Sequence, residues 1–356
     1  MSMPNNKKFI TVHIVNTLPL HNLNRDQSGQ PKSQFDGGVQ RGRLSSQSLK
    51  RAARVGYRNA GANGSIRTRM ADDAVLAEAI EYAKGSGLAF DEKKGEAAIK
   101  KVIGSLASKS EDAKESILLF SLAELTSLAQ STVKKQQAGE EPELKDFILD
   151  ATSPSLDVAA FGRMFANQTD LGTHAAIAVS HATMTHQMAL TTDYFTAVEE
   201  YGQEHAGAAH LGLAFYTSGV YYRTFTIDAD QLRRSWSGVT GEGAAEDLAL
   251  LVKELILALP TGKVNSTNAH TRPTLVLAEL QNYRSAYEFD RPVVAEGGYK
   301  ENTVKALAAS RSLALEFDED NFSESAVVGE SFDVDFMAQN LSTVDEIVHF
   351  IVSKVL

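Results

Sequence analysis

The sequence predicts an α+β protein built on a ferredoxin-like or RRM-like sheet, with a helical insertion and a protruding arm. Three observations predict it. Short β-rich segments alternate with helical ones near both ends of the chain. From Ala71 to about Asp150 the apolar residues switch to helical spacing. From Met188 to Ser218 runs an excursion rich in Gly and Ala, too long for an ordinary connection. This sheet class commonly binds single-stranded RNA, although a fold alone does not fix a function.

A chain of 356 residues can bury a large core, as one large domain with insertions or as two domains. Its 43 % hydrophobic and 22 % charged content is that of a soluble globular protein. The absence of cysteine excludes disulfides, thiolate catalysis and cysteine-ligated zinc, and suits a reducing compartment. Met1 to Lys8 is polar and lacks the apolar centre of a signal peptide, and no apolar run is long enough to span a membrane. A cytoplasmic protein is expected. The net charge of −10 argues against a nonspecific DNA coater, so any nucleic-acid site should be local.

The first strand is Phe9 to Val15, with Ile10, Val12 and Ile14 on a core face and Phe9, Thr11, His13 and Val15 on the other. His13 reads as a half-buried strand residue rather than a ligand. A polar loop from Leu20 to Lys32 follows and ends near Gly37-Gly38. Paired glycines serve either a tight turn or a close backbone approach to a ligand.

Gly37 to Met70 is a basic island. Arg41, Arg43, Lys50, Arg51, Arg54, Arg58, Arg67 and Arg69 lie there without one Asp or Glu, so the island's +8 stands against −18 elsewhere. Like charges so crowded repel one another unless something negative sits among them, and a nucleic-acid backbone meets that need. Composition leaves a second reading open, a solvated helix face paired with acids elsewhere. Within the island, Ser45 to Arg54 starts a helix with a serine N-cap and strong helix formers. Leu49, Ala52, Ala53 and Gly56 share the packing side, and Lys50, Arg54 and Arg58 recur every four residues on another. The open helix end is a phosphate site in its own right. Arg25 and Lys32 extend the basic surface.

Ala74–Ile80, Ala97–Leu106 and Ser116–Leu128 each space their apolar residues as helices do. Lys134 and Lys135 sit at a helix end or loop tip, where they complement a helix dipole or touch a second nucleic-acid strand. Ser155–Phe165 returns to strand character, and Met164 within it reads as core or as an apolar wedge between bases. His174, His181 and His186 have no carboxylate at ligand spacing, so no metal is expected, and no defined catalytic spacing supports a nuclease base.

In the arm, apolar bursts at Tyr194–Val198 and Ala206–Gly212 suit a grip on a neighbour. Gly219–Ile227 is a strand by its β-branched and aromatic content. Ala244–Leu259 is an amphipathic helix stopped by Pro260, and Pro273–Ala278 is another strand. Thr261-Gly262-Lys263 lacks the earlier glycine of a phosphate loop, so no nucleotide or other cofactor is assigned. Arg291–Leu315 holds one more helix. Phe317–Asp335 is strongly acidic and expected as a loop, either solvated or facing the basic island of a neighbouring copy. Val344–Leu356 closes the chain as a helix capped by Thr343.

Several blocks in one order carry a family resemblance. They are Ile10-Thr11-Val12-His13, Leu23-Asn24-Arg25-Asp26, Gly37-Gly38 with Arg41 and Arg43, and Ser45-Ser46-Gln47-Ser48-Leu49-Lys50-Arg51-Ala52. Further on come Gly162-Arg163-Met164, Ser180 to Gln187, Tyr194 to Val198, Ala209-His210-Leu211-Gly212 and Ser218 to Arg223. In these the chain resembles the CasC-type backbone subunit of type I-E CRISPR Cascade, within the RAMP superfamily. The resemblance spans roughly Ile10 to Arg223; the C-terminal third does not align as well.

The resemblance implies a subunit that is not an enzyme. Copies of it stack head to tail along one CRISPR RNA, displacing a nucleotide at intervals so that target DNA pairs in short segments. It implies a modified RRM palm in three parts (1–70, 151–187 and 219–356), helical fingers at 71–150 and a thumb at 188–218. The implied RNA contacts are Arg25, Lys32, Gln47, Ser48, Lys50, Arg51 and Arg54 in the palm. Met164 would separate bases beside Arg163, and Thr196 and Leu211 of the thumb would touch the displaced base or its neighbours. Lys134 or Lys135 would meet target DNA. Implied partners are the CRISPR RNA, a target DNA strand, further copies, and Cascade subunits of the CasA, CasB, CasD and CasE types, with no membrane. Related backbone subunits cleave target RNA through a palm-loop aspartate, which makes Asp26 or Asp36 the alternative, an endonuclease. A structural subunit without RNA contact conflicts with the basic island.

Overall fold

The computed structural model describes residues 8–107, 117–148, 151–198 and 208–356. The strands are β1 (Phe9–His21), β2 (Ser33–Asp36), β3 (Val39–Leu44), β4 (Ser65–Thr68), β5 (Leu118–Ser121), β6 (Ile177–Val179), β7 (Ala182–Met184), β8 (Thr191–Val198), β9 (Ala208–Asp228), β10 (Leu275–Gln281), β11 (Phe322–Gly329) and β12 (Gln339–Asn340). The helices are α1 (Ser46–Asn59), α2 (Ala71–Ser86), α3 (Glu92–Gly104), α4 (Leu122–Ala138), α5 (Leu156–Phe161), α6 (Ala229–Ser235), α7 (Ala244–Leu257), α8 (Val264–Thr267), α9 (Tyr299–Phe317) and α10 (Val344–Val355). The α+β expectation holds. The chain forms two compact units: Met1–Ala53 with Val179–Thr226 and Val252–Lys354, and Arg54–Ala178 with Ile227–Leu251 and Val355–Leu356.

The first unit is built on a sheet ordered β12-β11-β10-β1-β9-β7-β3-β2. β1 runs antiparallel to β10, from Phe9 opposite Gln281 to Val15 opposite Leu275. Neighbouring residues on a strand point to opposite faces, and here both faces are covered. Tyr222 joins Val15, Leu277 and Val304 in one core, whereas Tyr221 joins Leu18, Leu44 and Leu49 in another. The half-buried first strand expected from its alternation is therefore buried on both faces, and His13 is enclosed completely. The acidic stretch also departs from expectation. Its Ala326-Val327-Val328 core pairs with β10 as β11, and the acids at its ends masked a short apolar run. Thr343 caps α10 as expected, its hydroxyl accepting from the Glu346 N–H at 3.2 Å.

The arm is a β-hairpin. β8 pairs antiparallel with β9 from Thr191 opposite Tyr216 to Val198 opposite Ala208, and β9 runs on into the sheet. The expected strand Gly219–Ile227 and the far side of the arm are thus one element. Residues 199–207 of the expected thumb lie outside the described residues.

The second unit packs α2, α3 and α4 around Val75, Ala79, Ile99, Leu128 and Phe120. Two expectations fail here. The helix read over Ser116–Leu128 begins only at Leu122. Leu118–Ser121 is β5, antiparallel to β4, and Ser116 lies outside the described residues. A short apolar run reads alike as strand or buried helix. The strand read over Ser155–Phe165 is helix α5, whose residues Leu156 to Ala160 are all buried. Burial on all sides erases the periodicity that separates the two.

One pH response follows from the first unit. His21 is buried; its Nδ1 accepts from the Leu23 N–H at 3.4 Å, so Nε2 carries the proton and donates to Tyr221 Oη at 3.1 Å. Burial pushes its pKa down from 6.5 to about 4. Between those values the unfolded chain binds the extra proton and the folded chain does not. The stability is complete above pH 6.5 and is lost as the pH falls toward 4, by up to about 3 kcal/mol. Urea unfolding across that range should show the decline, and His21→Gln should flatten it; parallel pH curves for the two proteins would refute the assignment.

Candidate nucleic-acid interface

The N-terminus of α1 is where the expected palm contacts of the first unit gather. β3 delivers Ser45 to the N-cap, and three outside groups fix it there. Asn24 Oδ1 accepts the Ser45 N–H at 2.9 Å and His181 Nδ1 accepts the Ser46 N–H at 2.8 Å. Ser45 Oγ accepts the Ser48 N–H at 3.3 Å. The loop carrying Arg25 is tied to the same point, since the Lys32 N–H donates to Asn24 O at 2.9 Å and the Arg43 N–H to Lys32 O at 2.8 Å. Arg25, Gln47 and Arg51 are exposed, and Lys32, Arg43, Ser48 and Lys50 are half-buried. Burial holds the Lys50 ammonium below its ordinary pKa.

The open anion site expected at this helix end is narrower than the sequence suggested. Its first amides are partly occupied, by a histidine and by its own serine. What replaces it is a field of side chains. Burial, then the charges of Arg43 and Lys32, hold the His181 pKa below the ordinary imidazole value. The ring is therefore neutral near pH 7, and with Nδ1 accepting, Nε2–H is a donor beside two cations. A groove of about 300 Å³ opens alongside, lined in part by Gln34, His181, Thr183, Tyr222 and Phe289. Donors and cations around an apolar groove suit phosphate and base together.

Not all of the island serves this surface. Arg41 is buried, donating from Nε to Asp36 O at 3.1 Å and from Nη2 to Asp290 O at 3.2 Å, and it braces the β2–β3 hairpin. Gly37 and Gly38 form that hairpin's turn with φ of 58° and 80°; a Cβ on Gly37 would strike Asp290 O. Arg54, Arg58, Arg67 and Arg69 belong to the second unit. Ser48 Oγ donates to Ser45 O at 2.7 Å, which gives it a capping task of its own.

In the second unit, Met164 is 80 % exposed, so the core reading of this methionine is overturned. Arg163 is the opposite case. Expected beside Met164 on the RNA, it is turned inward and pairs with the buried carboxylate of Glu124 at 2.6 Å. Lys135 is half-buried in an ion pair with Asp146 at 2.8 Å, which removes it from a direct DNA contact, whereas Lys134 is exposed with its Nζ 5.7 Å from the centre of the Tyr82 ring. In the arm, Thr196 is exposed and stands directly opposite Leu211 in register.

The two aspartates of the alternative reading have local tasks. Asp26 Oδ1 accepts from the Ser28 N–H, the Ser28 hydroxyl and the Gln30 N–H at 2.9, 2.7 and 3.0 Å. The Ser28 hydroxyl is the largest cause holding its carboxyl below the ordinary range. Asp36 ends β2, with Oδ2 3.9 Å from Arg41 Nη1. Sequence reasoning missed His181 and Arg43 as site residues. The partners of His181 lie far away in the chain, and neither periodicity nor ligand spacing announces them.

The family model of CT1975-like proteins matches residues 10–349 of the chain. No curated protein matches. Among solved structures, a chain described as "CRISPR RNA-guided surveillance complex, pre-nicking" superposes with a TM-score of 0.79 at 23% identity, over 98% of this chain and 100% of that one. A second, described as "CRISPR RNA-guided surveillance complex", superposes with a TM-score of 0.73 at 20% identity, over 97% and 99%. At these identities the likeness is one of fold.

Proposed function

The chain belongs to the CT1975-like protein family, and from that footing we propose that it is a non-catalytic backbone subunit of a type I-E Cascade, bound along a CRISPR RNA. The observation that carries the RNA contact is the convergence on Ser45–Ser46 of the Arg25–Lys32 loop, Arg43, His181 and the first turn of α1. Repeated phosphate contacts hold a strand without choosing its sequence, which a guide carrier needs, and base pairing then reads the target. Lys32, Arg43, Lys50 and Arg51 supply those contacts, with Gln47 and the His181 Nε2–H as neutral donors. The β8–β9 hairpin reaches over the strand held by the next copy and brings Thr196 and Leu211 to it. Met164 separates bases, and Lys134 touches target DNA. A contact that repeats head to tail without closing makes a filament.

Co-expression with the CasA, CasB, CasD and CasE types and a CRISPR array tests this reading. The purified complex should release one RNA of guide length, protected at regular intervals. A complex assembled without RNA would defeat the reading. Regular cuts in a complementary target RNA, lost in Asp26→Ala or Asp36→Ala, would establish the endonuclease instead.

A further inference from the structure

The exposed methionine stands on a loop built to keep it there. The Arg163 and Thr173 main chains exchange both hydrogen bonds, N–H to O at 2.9 and 2.8 Å, and pinch the loop shut. Its two flanking glycines leave no slack. Gly162 has φ +79° with a Cβ's place 3.1 Å from Ala175 Cβ, and a Cβ on Gly172 would lie 3.0 Å from Thr169 O. Phe165 is buried in the helical core, and Asn167 Nδ2 donates to Ala107 O. Met164 thus lies between two anchored neighbours, in sequence and in space.

The anchor on one side is a charge pair whose stability value is poor. Glu124 Oε2 accepts from Arg163 Nη1 at 2.6 Å and from the Ser121 N–H at 2.8 Å, the second bond closing the capping box of α4. Both charged side chains are 1 % exposed. Glu124 Oε1 and Arg163 Nε and Nη2 are buried without a hydrogen-bond partner, although the guanidinium lies 4.7 Å from the centre of the Phe165 ring. Desolvating two charges costs about as much as their attraction returns, and an exposed Glu would cap α4 equally well. What the pair does supply is direction: it fixes Arg163, whose backbone is the neck of the loop.

We infer that Glu124 is a positioning residue that holds Met164 outward, through Arg163, for insertion between nucleobases. The inference rests on the reading of Met164 as the base-separating residue. It assigns Glu124 no contact with RNA.

The test uses the assembled complex carrying a guide with 2-aminopurine, whose fluorescence rises when a base is unstacked. The probe is placed at a displaced interval position or within a segment. Wild type should be bright at the interval position and Met164→Ala dim. Glu124→Gln keeps the acceptor for Ser121 but removes the charge facing Arg163, and should dim the interval signal toward that of Met164→Ala. RNA retention and its salt dependence should stay at wild-type values, which a general loss of structure would not allow. If Glu124→Gln fails to assemble, the neutral pair Glu124→Gln with Arg163→Met replaces the ions by a packed contact and gives the same reading. Wild-type brightness in an assembled Glu124 variant, with Met164→Ala dim, overturns this inference alone. A wild type as dim as Met164→Ala overturns the base-separating role and this inference with it.

Discussion

Lys50→Glu together with Arg51→Glu is expected to lower the affinity of the assembled complex for its guide RNA by about 10²- to 10³-fold. Each residue stands in the first turns of α1, next to the cluster that Asn24 and His181 fasten. A hydrogen bond to a charged group contributes about 1.5–3 kcal/mol, and reversal replaces each attraction by a repulsion. The salt dependence carries the sharper signature. Each phosphate contact to a single strand adds about 0.7 to the slope of log affinity against log salt, so two lost contacts should flatten it by about 1.4. Arg58→Glu together with Arg67→Glu changes the net charge equally, at exposed positions of the second unit. That control should leave the slope within about 0.3 of wild type. Equal losses in both doubles would mean that the island acts as a diffuse field and makes no specific contacts.

Much of this surface was legible in the sequence because it rests on local chemistry. The serine N-cap, the helix formers after it and the absence of acid among eight cations are all read within one short stretch. The long helices were legible for the same reason, since their period repeats over several turns. Elements fixed by distant partners were not. β5 and α5 are short and apolar throughout, and their neighbours alone decide between strand and helix. Arg163 stands beside an exposed methionine in the chain, yet it points at a carboxylate 39 positions earlier. His181 sits 135 positions from the amide it accepts. Charge and spacing show that a basic surface exists; folding decides which of its cations face out.

The second large effect lies inside the first unit. Arg311→Met is expected to destabilise the protein by about 3–5 kcal/mol, because it strands a buried carboxylate. Arg311 donates from Nε to Glu279 Oε1 at 2.6 Å, from Nη2 to Ser325 Oγ at 2.8 Å and from Nη1 to Phe336 O. Glu279 in turn takes hydrogen bonds from Tyr287 Oη at 2.9 Å, from Gln281 Nε2 at 3.2 Å and from His13 Nε2 at 2.9 Å. The chain of donors continues outward. With His13 Nε2–H donating to Glu279, Nδ1 accepts from Tyr222 Oη–H at 2.8 Å, and Tyr222 Oη accepts from the Tyr287 N–H at 3.1 Å. Tyr222 and Tyr287 both line the groove beside His181, so the network reaches the candidate interface. Burial alone would raise the Glu279 pKa, but the hydrogen bond and charge of His13 and the charge of Arg311 outweigh it and hold it below the ordinary value. Its contribution is therefore present above the unfolded carboxylate pKa and is lost as the pH falls through the folded one. Arg311→Met should reduce that acid sensitivity as well as the urea midpoint, because its Glu279 is no longer held ionised. Glu279→Gln with Arg311→Met removes both charges and should recover at least half of the loss, since an uncharged pair of similar shape leaves no ion stranded. A double variant no more stable than Arg311→Met would assign the loss to packing around the guanidinium, and the buried carboxylate would not be its cause.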